Sequence, residues 1–280
     1  MILVEDDKSV DRVKAAERAW HDAEYHVHAA YAFPEKLGDF QNLFVKGQIS
    51  RFCDGGWSWW GDARREAIET VGDVRGFEGF GLRLWIRWPG TVPEPARRSR
   101  RGRFDLSRPA IETARKAATR FGLSAEFTQM DAAALTYPDD FFDLVIGFGV
   151  LHHVIKYPTA DVQLFRGMKP AARAVFHETL WDNPLINFAR KFTSVPADAG
   201  DAPLTDRAIR QFCQDFRYVR MEKRHLLYTL KRLAKLPPTV WSEELKPRPW
   251  WRAINAVDQQ LLRFGRLRRY CGEVIVYLQK

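Results

Sequence analysis

The chain is poor in cysteine, and what it has forms no pattern. Cys53, Cys213 and Cys271 are the three in 280 residues. They are odd in number, far apart and without a CxxC pair, which excludes a disulfide framework and a zinc or iron–sulfur ligand set. They read as reduced, partly buried thiols of a reducing compartment, and no metal is expected. Long apolar runs are also missing, since no stretch approaches the roughly 20 apolar residues of a membrane span. The opening residues, MILVEDDKSVDRVK, are acidic where a secretory leader needs a basic start and an apolar run. The expectation is a cytoplasmic protein with no membrane partner.

Charge points less clearly than its total implies. The net charge is +9, but five arginines fall between Arg97 and Arg103. The remainder is only mildly basic, and a solvated loop accounts for the run better than a phosphate-binding patch does. Nucleic acid is therefore not the expected partner. With 280 residues and 46% apolar content, the chain can bury a full core for one α/β domain with additional elements.

What is present concentrates between Phe104 and Val154. Arg103 to Leu106 reads as the end of a strand, with Asp105 at its carboxyl edge, where an open α/β sheet binds ligands. A carboxylate there can accept hydrogen bonds from two ribose hydroxyls. Ser107 opens a helix with Pro109 in its first turn, and Gly122 closes it. A second apolar run, Ala125 to Met130, ends at Asp131, placed to accept from an adenine amino group. Phe142 to Ile146 is a short apolar run between Asp139-Asp140 and Gly147, the pattern of a strand buried on both faces. The series fits a grip on an adenosine-containing cofactor. The plainer alternatives are a turn or cap for each aspartate, and core for Phe148.

These residues resemble the class I S-adenosylmethionine-dependent methyltransferases, a type-11-like group that includes ubiquinone/menaquinone C-methyltransferases. The resemblance rests on FDLS, on DAAAL after Met130, on DDFFDLVIGFGVLHHV, and on LFRGMKPAARAVFHETL, and covers about residues 104 to 180. It implies a Rossmann-like α/β methyltransferase fold, a mainly parallel seven-stranded sheet with flanking helices. It also implies S-adenosyl-L-methionine as cofactor, held by Asp105, Leu106, Asp131, Ala132, Gly147 and Phe148, and methyl transfer to a small-molecule acceptor. His153 or His152, just after the fourth strand, would be the catalytic base, since histidine titrates near neutrality. The alternative is that the LHH turn merely opens a helix. Glu178 at the end of the fifth strand faces the same edge, with a salt-bridged acid as its alternative.

The resemblance has one break. A glycine-rich turn should follow the first strand about 20 residues before Asp105, but residues 79 to 103 carry two tryptophans, three prolines and the arginine run instead. Back-translated and read one base out of register, Gly79 to Pro89 permits D-L-G-C-G-C-G-Y-G-G, the missing motif at the expected place. The segment thus reads as translated out of frame. Two alternative functions follow: a catalytically inactive methyltransferase-like protein, or an RNA or protein methyltransferase that docks through the arginine run.

The expected organisation is an N-terminal helical extension, residues 1–70, and a Rossmann-like domain, residues 71–280, with a lid insertion at 181–203. In the extension, Val13, Ala16, Ala19 and Trp20 share a helical face, and Trp57, Trp59 and Trp60 form an aromatic cluster suited to packing or to stacking on a substrate. Towards the C-terminus a helix capped by Thr205, another from Trp250 to Arg266 and a strand from Gly272 to Leu278 are expected, the last paired in an antiparallel hairpin at the sheet edge.

Overall fold

The structure is a computed structural model that describes residues 10–19, 22, 84–88, 100–120, 126–180, 183, 204–227 and 249–280. The tryptophan cluster, Cys53, Gly122, the glycines before Leu84 and nearly all of the 181–203 insertion lie outside the described residues. Among the described residues, seven strands form one sheet, in order β3-β2-β1-β4-β5-β7-β6. They are β1 (Leu84–Trp88), β2 (Arg100–Asp105), β3 (Glu126–Gln129), β4 (Phe142–Phe148), β5 (Met168–Thr179), β6 (Tyr218–Arg224) and β7 (Glu273–Gln279).

The described helices are α1 (10–19), before β1, and α2 (Arg108–Arg120), α3 (Leu151–Val154), α4 (Ala160–Gly167), α5 (Asp206–Phe212) and α6 (Pro249–Leu261) between the strands. The cap at Ser107 is as expected, its Oγ accepting from Ala110 N at 3.3 Å. Thr205 likewise accepts from Ala208 N at 3.2 Å. The C-terminal helix stops at Leu261, five residues short of Arg266, and gives way to a 3-10 turn, Gly265–Tyr270.

The expectation of a mainly parallel sheet needs correction, because the sheet is mixed. Among the described residues, only β2–β3 and β4–β5 pair in parallel. β5–β7 and β6–β7 are antiparallel, as the edge hairpin requires, and so are both pairings of the central strand β1. Leu84 begins β1 opposite Phe104 and Gly147, whereas Trp88 ends it opposite Arg100. The chain therefore leaves β1 at the edge remote from Asp105. The arginine run is corrected in part: Arg103 was expected in the strand, but Arg100 and Arg101 also lie in β2, where ladder hydrogen bonds to β1 hold the backbone whatever the side chains are.

The core lies where sequence hydrophobicity is densest. In β4 Leu144, Val145 and Ile146 are all buried, and so are Val274, Ile275 and Val276 in β7. Each such side chain contributes about 1.5–3 kcal/mol relative to exposure. Tyr137 stacks on Phe141 at 5.1 Å and meets Phe142 edge-on at 5.0 Å, sealing the sheet beneath the 131–141 segment. Arg166 of α4 ties that segment down, with Nη1 donating to Tyr137 O at 2.8 Å and Nη2 to Leu135 O at 3.0 Å.

Candidate functional site

The carboxyl ends of β2 and β3 are brought level by their parallel register, Asp105 opposite Gln129. Backbone continues the alignment, Met130 N donating to Asp105 O at 3.0 Å. This juxtaposition opens a cleft lined by Glu17, Phe104, Asp105, Leu106, Met130, Asp131, Ala132, Val150, His153 and Val154. Its walls are largely apolar, and its polar groups are two aspartates, one glutamate and one histidine, a combination suited to an organic ligand with hydroxyl and amino donors.

Asp105 is buried, and its Oδ1 accepts from Ser107 N at 2.8 Å. This fixes the carboxylate at the junction between strand and helix. Asp131 accepts from Ala133 N through Oδ1 at 2.8 Å and from Lys14 Nζ through Oδ2 at 2.6 Å. The turn reading of Asp131 and its place on the cleft wall are thus compatible.

Of the residues expected to hold a cofactor, Asp105, Leu106, Asp131 and Ala132 line this cleft; Gly147 and Phe148 do not. Gly147 is needed for packing, since a Cβ there would come within 2.5 Å of the Phe176 ring and 2.6 Å of Val150. Phe148 is buried at the end of β4. Gly149, with φ of 62°, makes the left-handed turn out of that strand, and its N donates to His177 O at 2.9 Å.

The two histidines separate. His153 lines the cleft and His152 does not. His152 Nδ1 donates to Glu178 Oε2 at 2.8 Å, while Glu178 Oε1 accepts from Val150 N at 2.6 Å and Leu151 N at 2.7 Å. Glu178 is fully buried and organises the opening of α3.

Sequence reasoning missed Glu17. The expected α1 face was Val13, Ala16, Ala19 and Trp20; Trp20 lies outside the described residues, Ala16 and Ala19 are exposed, Val10, Val13 and Lys14 are half-buried and Glu17 is 2% exposed. Glu17 Oε1 stands 2.5 Å from His153 Nδ1, while Oε2 accepts from Tyr157 OH at 2.7 Å and lies 3.1 Å from Lys156 Nζ. Burial, reinforced by the Glu17 charge, raises the Tyr157 phenol far above its ordinary range, so it remains a donor. The signal available in sequence was the spacing Val10, Val13, Lys14, Glu17, one helical stripe that includes two charges.

A carboxylate at each of two adjacent strand ends, above an apolar cleft, defines the class first: an α/β protein with a candidate ligand site at its sheet edge. Residues 97–176 match the family model described as methyltransferase domain. No curated protein is significantly similar in sequence. Among solved structures the cyclase SpnF is 17% identical, with TM-score 0.41, over 64% of this chain and 65% of its own. A methyltransferase from Methanosarcina mazei is 16% identical, with TM-score 0.40, over 64% and 81%. One from Archaeoglobus fulgidus is 13% identical, with TM-score 0.37, over 60% and 81%.

The chemistry of the donor set fits the adenosine half of the family's cofactor, with acceptors at Asp105 and Asp131 and apolar surface from Leu106, Met130 and Ala132 between them. Among the described residues no group of three or more His, Cys, Asp or Glu side chains could hold a metal ion. No described helix is long and apolar enough to cross a membrane.

Proposed function

We propose that this chain binds S-adenosyl-L-methionine in the β2–β3 cleft and methylates a small-molecule acceptor. The observation that carries the reading is the pairing of Asp105 and Asp131 at adjacent strand ends in one cleft with His153. When bound, the cofactor supplies a methyl group on a sulfonium centre. Asp105 accepts from the ribose hydroxyls and Asp131 from the adenine amino group, in exchange for Lys14. Phe104, Leu106, Met130 and Val150 exclude water, so that the protein contributes mainly binding and orientation. His153 accepts the proton of an acceptor that carries one. The helical extension, residues 1–70, supplies one wall through Glu17.

Calorimetric titration of the full chain with S-adenosyl-L-methionine and its demethylated product tests this. Asp105→Ala removes a charged hydrogen-bonding partner worth about 1.5–3 kcal/mol, so binding should weaken by roughly ten- to a hundredfold. An unchanged Kd would remove Asp105 from the site.

The direction of β1 favours a second reading, in which this chain grips the cofactor poorly and its parent gene holds the glycine turn in another frame. A turn after a parallel first strand would arrive at the Asp105 edge, but Trp88 ends β1 beside Arg100. Titration beside a version carrying the restored frame separates the two. Equal affinities support the first reading, and binding by the restored version alone supports the second. An in-frame gene sequence with a matching intact peptide mass removes the frame argument.

A further inference from the structure

From Pro249 to Tyr270 the chain reads PWWRAINAVDQQLLRFGRLRRY, five arginines with Asp258 as its one acid. Asp258 is fully buried and accepts from Leu226 N and Leu227 N, whereas Arg263, Arg266, Arg268 and Arg269 are exposed. The surface of this segment therefore carries one sign of charge. It also carries apolar groups that the core does not use. Phe264 is 65% exposed and Val257 50%, two of the four large hydrophobic residues that stand exposed among the described residues. Ala253, Val257, Gln260 and Phe264 follow at spacings of four, three and four, which sets them along one side of α6 and the turn after it, opposite the buried Asp258 and Leu262. Hydrogen bonds fix that turn: Phe264 N donates to Leu261 O at 3.0 Å, Leu267 N to Phe264 O at 2.9 Å, and Arg268 Nε to Leu262 O at 3.0 Å.

Strand register places this face at the ligand edge of the sheet. β4 and β5 run parallel, and β5 ends at Thr179 opposite Glu273, the first residue of β7, which also faces Arg224 at the end of β6. Asp258 grips the chain just past β6, and Tyr270 O accepts from Asn183 Nδ2 just past β5. We propose that this face docks on a bilayer surface rich in anionic phospholipid, Phe264 and Val257 entering the boundary between headgroups and acyl chains while Arg263, Arg266 and Arg269 meet the phosphates. An apolar stripe flanked by basic residues is what an interfacial surface requires, and each arginine adds attraction through the negative potential of the leaflet. The lack of a spanning run, from which no membrane partner was expected, is no obstacle, because a protein that lies on a bilayer needs none. Nucleic acid fits less well. Single strands are held by successive aromatic platforms, and the residues that share a side with Phe264 are Val257 and Ala253, which offer no ring.

Co-sedimentation of the full chain with vesicles, in the absence of cofactor, tests docking independently of what the cleft binds. Vesicles of equal parts phosphatidylcholine and phosphatidylserine should pellet the chain, vesicles of phosphatidylcholine alone should not, and added salt should release it. Arg263→Gln, Arg266→Gln and Arg269→Gln together should weaken binding by roughly a hundredfold, and Phe264→Ser by roughly tenfold. Glutamine at the exposed Arg207, Arg210 and Arg217 removes the same charge elsewhere and should cost far less. Lysine in place of Arg263, Arg266 and Arg269 should preserve binding, and the salt release of the unaltered chain decides the matter where a variant does not fold. No pelleting with the anionic vesicles, equal binding to both vesicles, equal losses from the two glutamine triples, or full binding by Phe264→Ser overturns the proposal. A uridine oligonucleotide bound where the anionic vesicles are not would assign the face to nucleic acid instead.

Discussion

Glu17 meets His153 at the wall of an open cleft, whereas Glu273 meets His177 and His225 inside the β5–β7–β6 half of the sheet. The parts are the same and the surroundings differ. Glu273 Oε2 lies 3.0 Å from His177 Nε2 and 2.7 Å from His225 Nδ1. Around it, Asp258 of α6 accepts from Leu226 N at 3.0 Å and Leu227 N at 2.7 Å, tying the end of β6 to that helix. Burial pushes the Glu273 carboxyl up, but the charge of His225 and hydrogen bonds from both histidines outweigh it and hold it well below the usual carboxylate range. Cys271, two residues earlier, is buried and its thiol is pushed up to about 12, chiefly by burial, so it is inert as well as free. The lesson is that a carboxylate–histidine pair is structural when the fold closes over it and available for chemistry when one side of it borders a cleft.

That contrast can be broken most strongly at Glu273. Glu273→Ala leaves two buried histidines without their shared acceptor and should cost about 3–5 kcal/mol in urea unfolding, without altering cofactor affinity in the folded fraction. The same carboxylate sets an acid limit. A depressed folded pKa contributes stability that is present above the unfolded value of about 4.3 and is lost as pH falls through the folded one. Stability should therefore decline below about pH 4 in the wild type, and the decline should be shallower in Glu273→Gln. Gly147→Ala comes next. Forcing a methyl into the Phe176 ring should cost about 1–3 kcal/mol, seen as a lower Tm, with the cleft carboxylates unaffected. The smallest effect belongs to Lys14→Met. Lys14 and Asp131 are 19% and 24% exposed, so their pair is worth at most about 1 kcal/mol. If Lys14 competes with the ligand for Asp131, cofactor binding should tighten by no more than about fivefold in calorimetry; weaker binding would make Lys14 a ligand contact instead.

The sequence made one side of the cleft legible and hid the other. Asp105 and Asp131 were readable because each follows a short apolar run, and the end of a strand in an open sheet is a ligand edge whatever else the fold does. Glu17 was not, because the α1 face was assigned from apolar residues, while the side that docks is set by Tyr157 and Lys156, about 140 residues away in sequence. The direction of β1 was illegible for a related reason. LWIRW carries nothing that distinguishes parallel from antiparallel pairing, and orientation is decided by neighbours on both sides. Charge misled at Arg100 and Arg101, which were read as loop although backbone pairing makes them strand. Caps were the most local features and the best read, as Ser107 and Thr205 show.

A cofactor site in the β2–β3 cleft, closed on one side by α1, is tested by an experimental structure of the full chain with S-adenosylhomocysteine. The expected result is ribose hydroxyls on Asp105, the adenine amino group at Asp131 with Lys14 turned away, and Glu17 still against His153. A ligand bound elsewhere, or no ligand while Lys14 keeps its contact with Asp131, would contradict it.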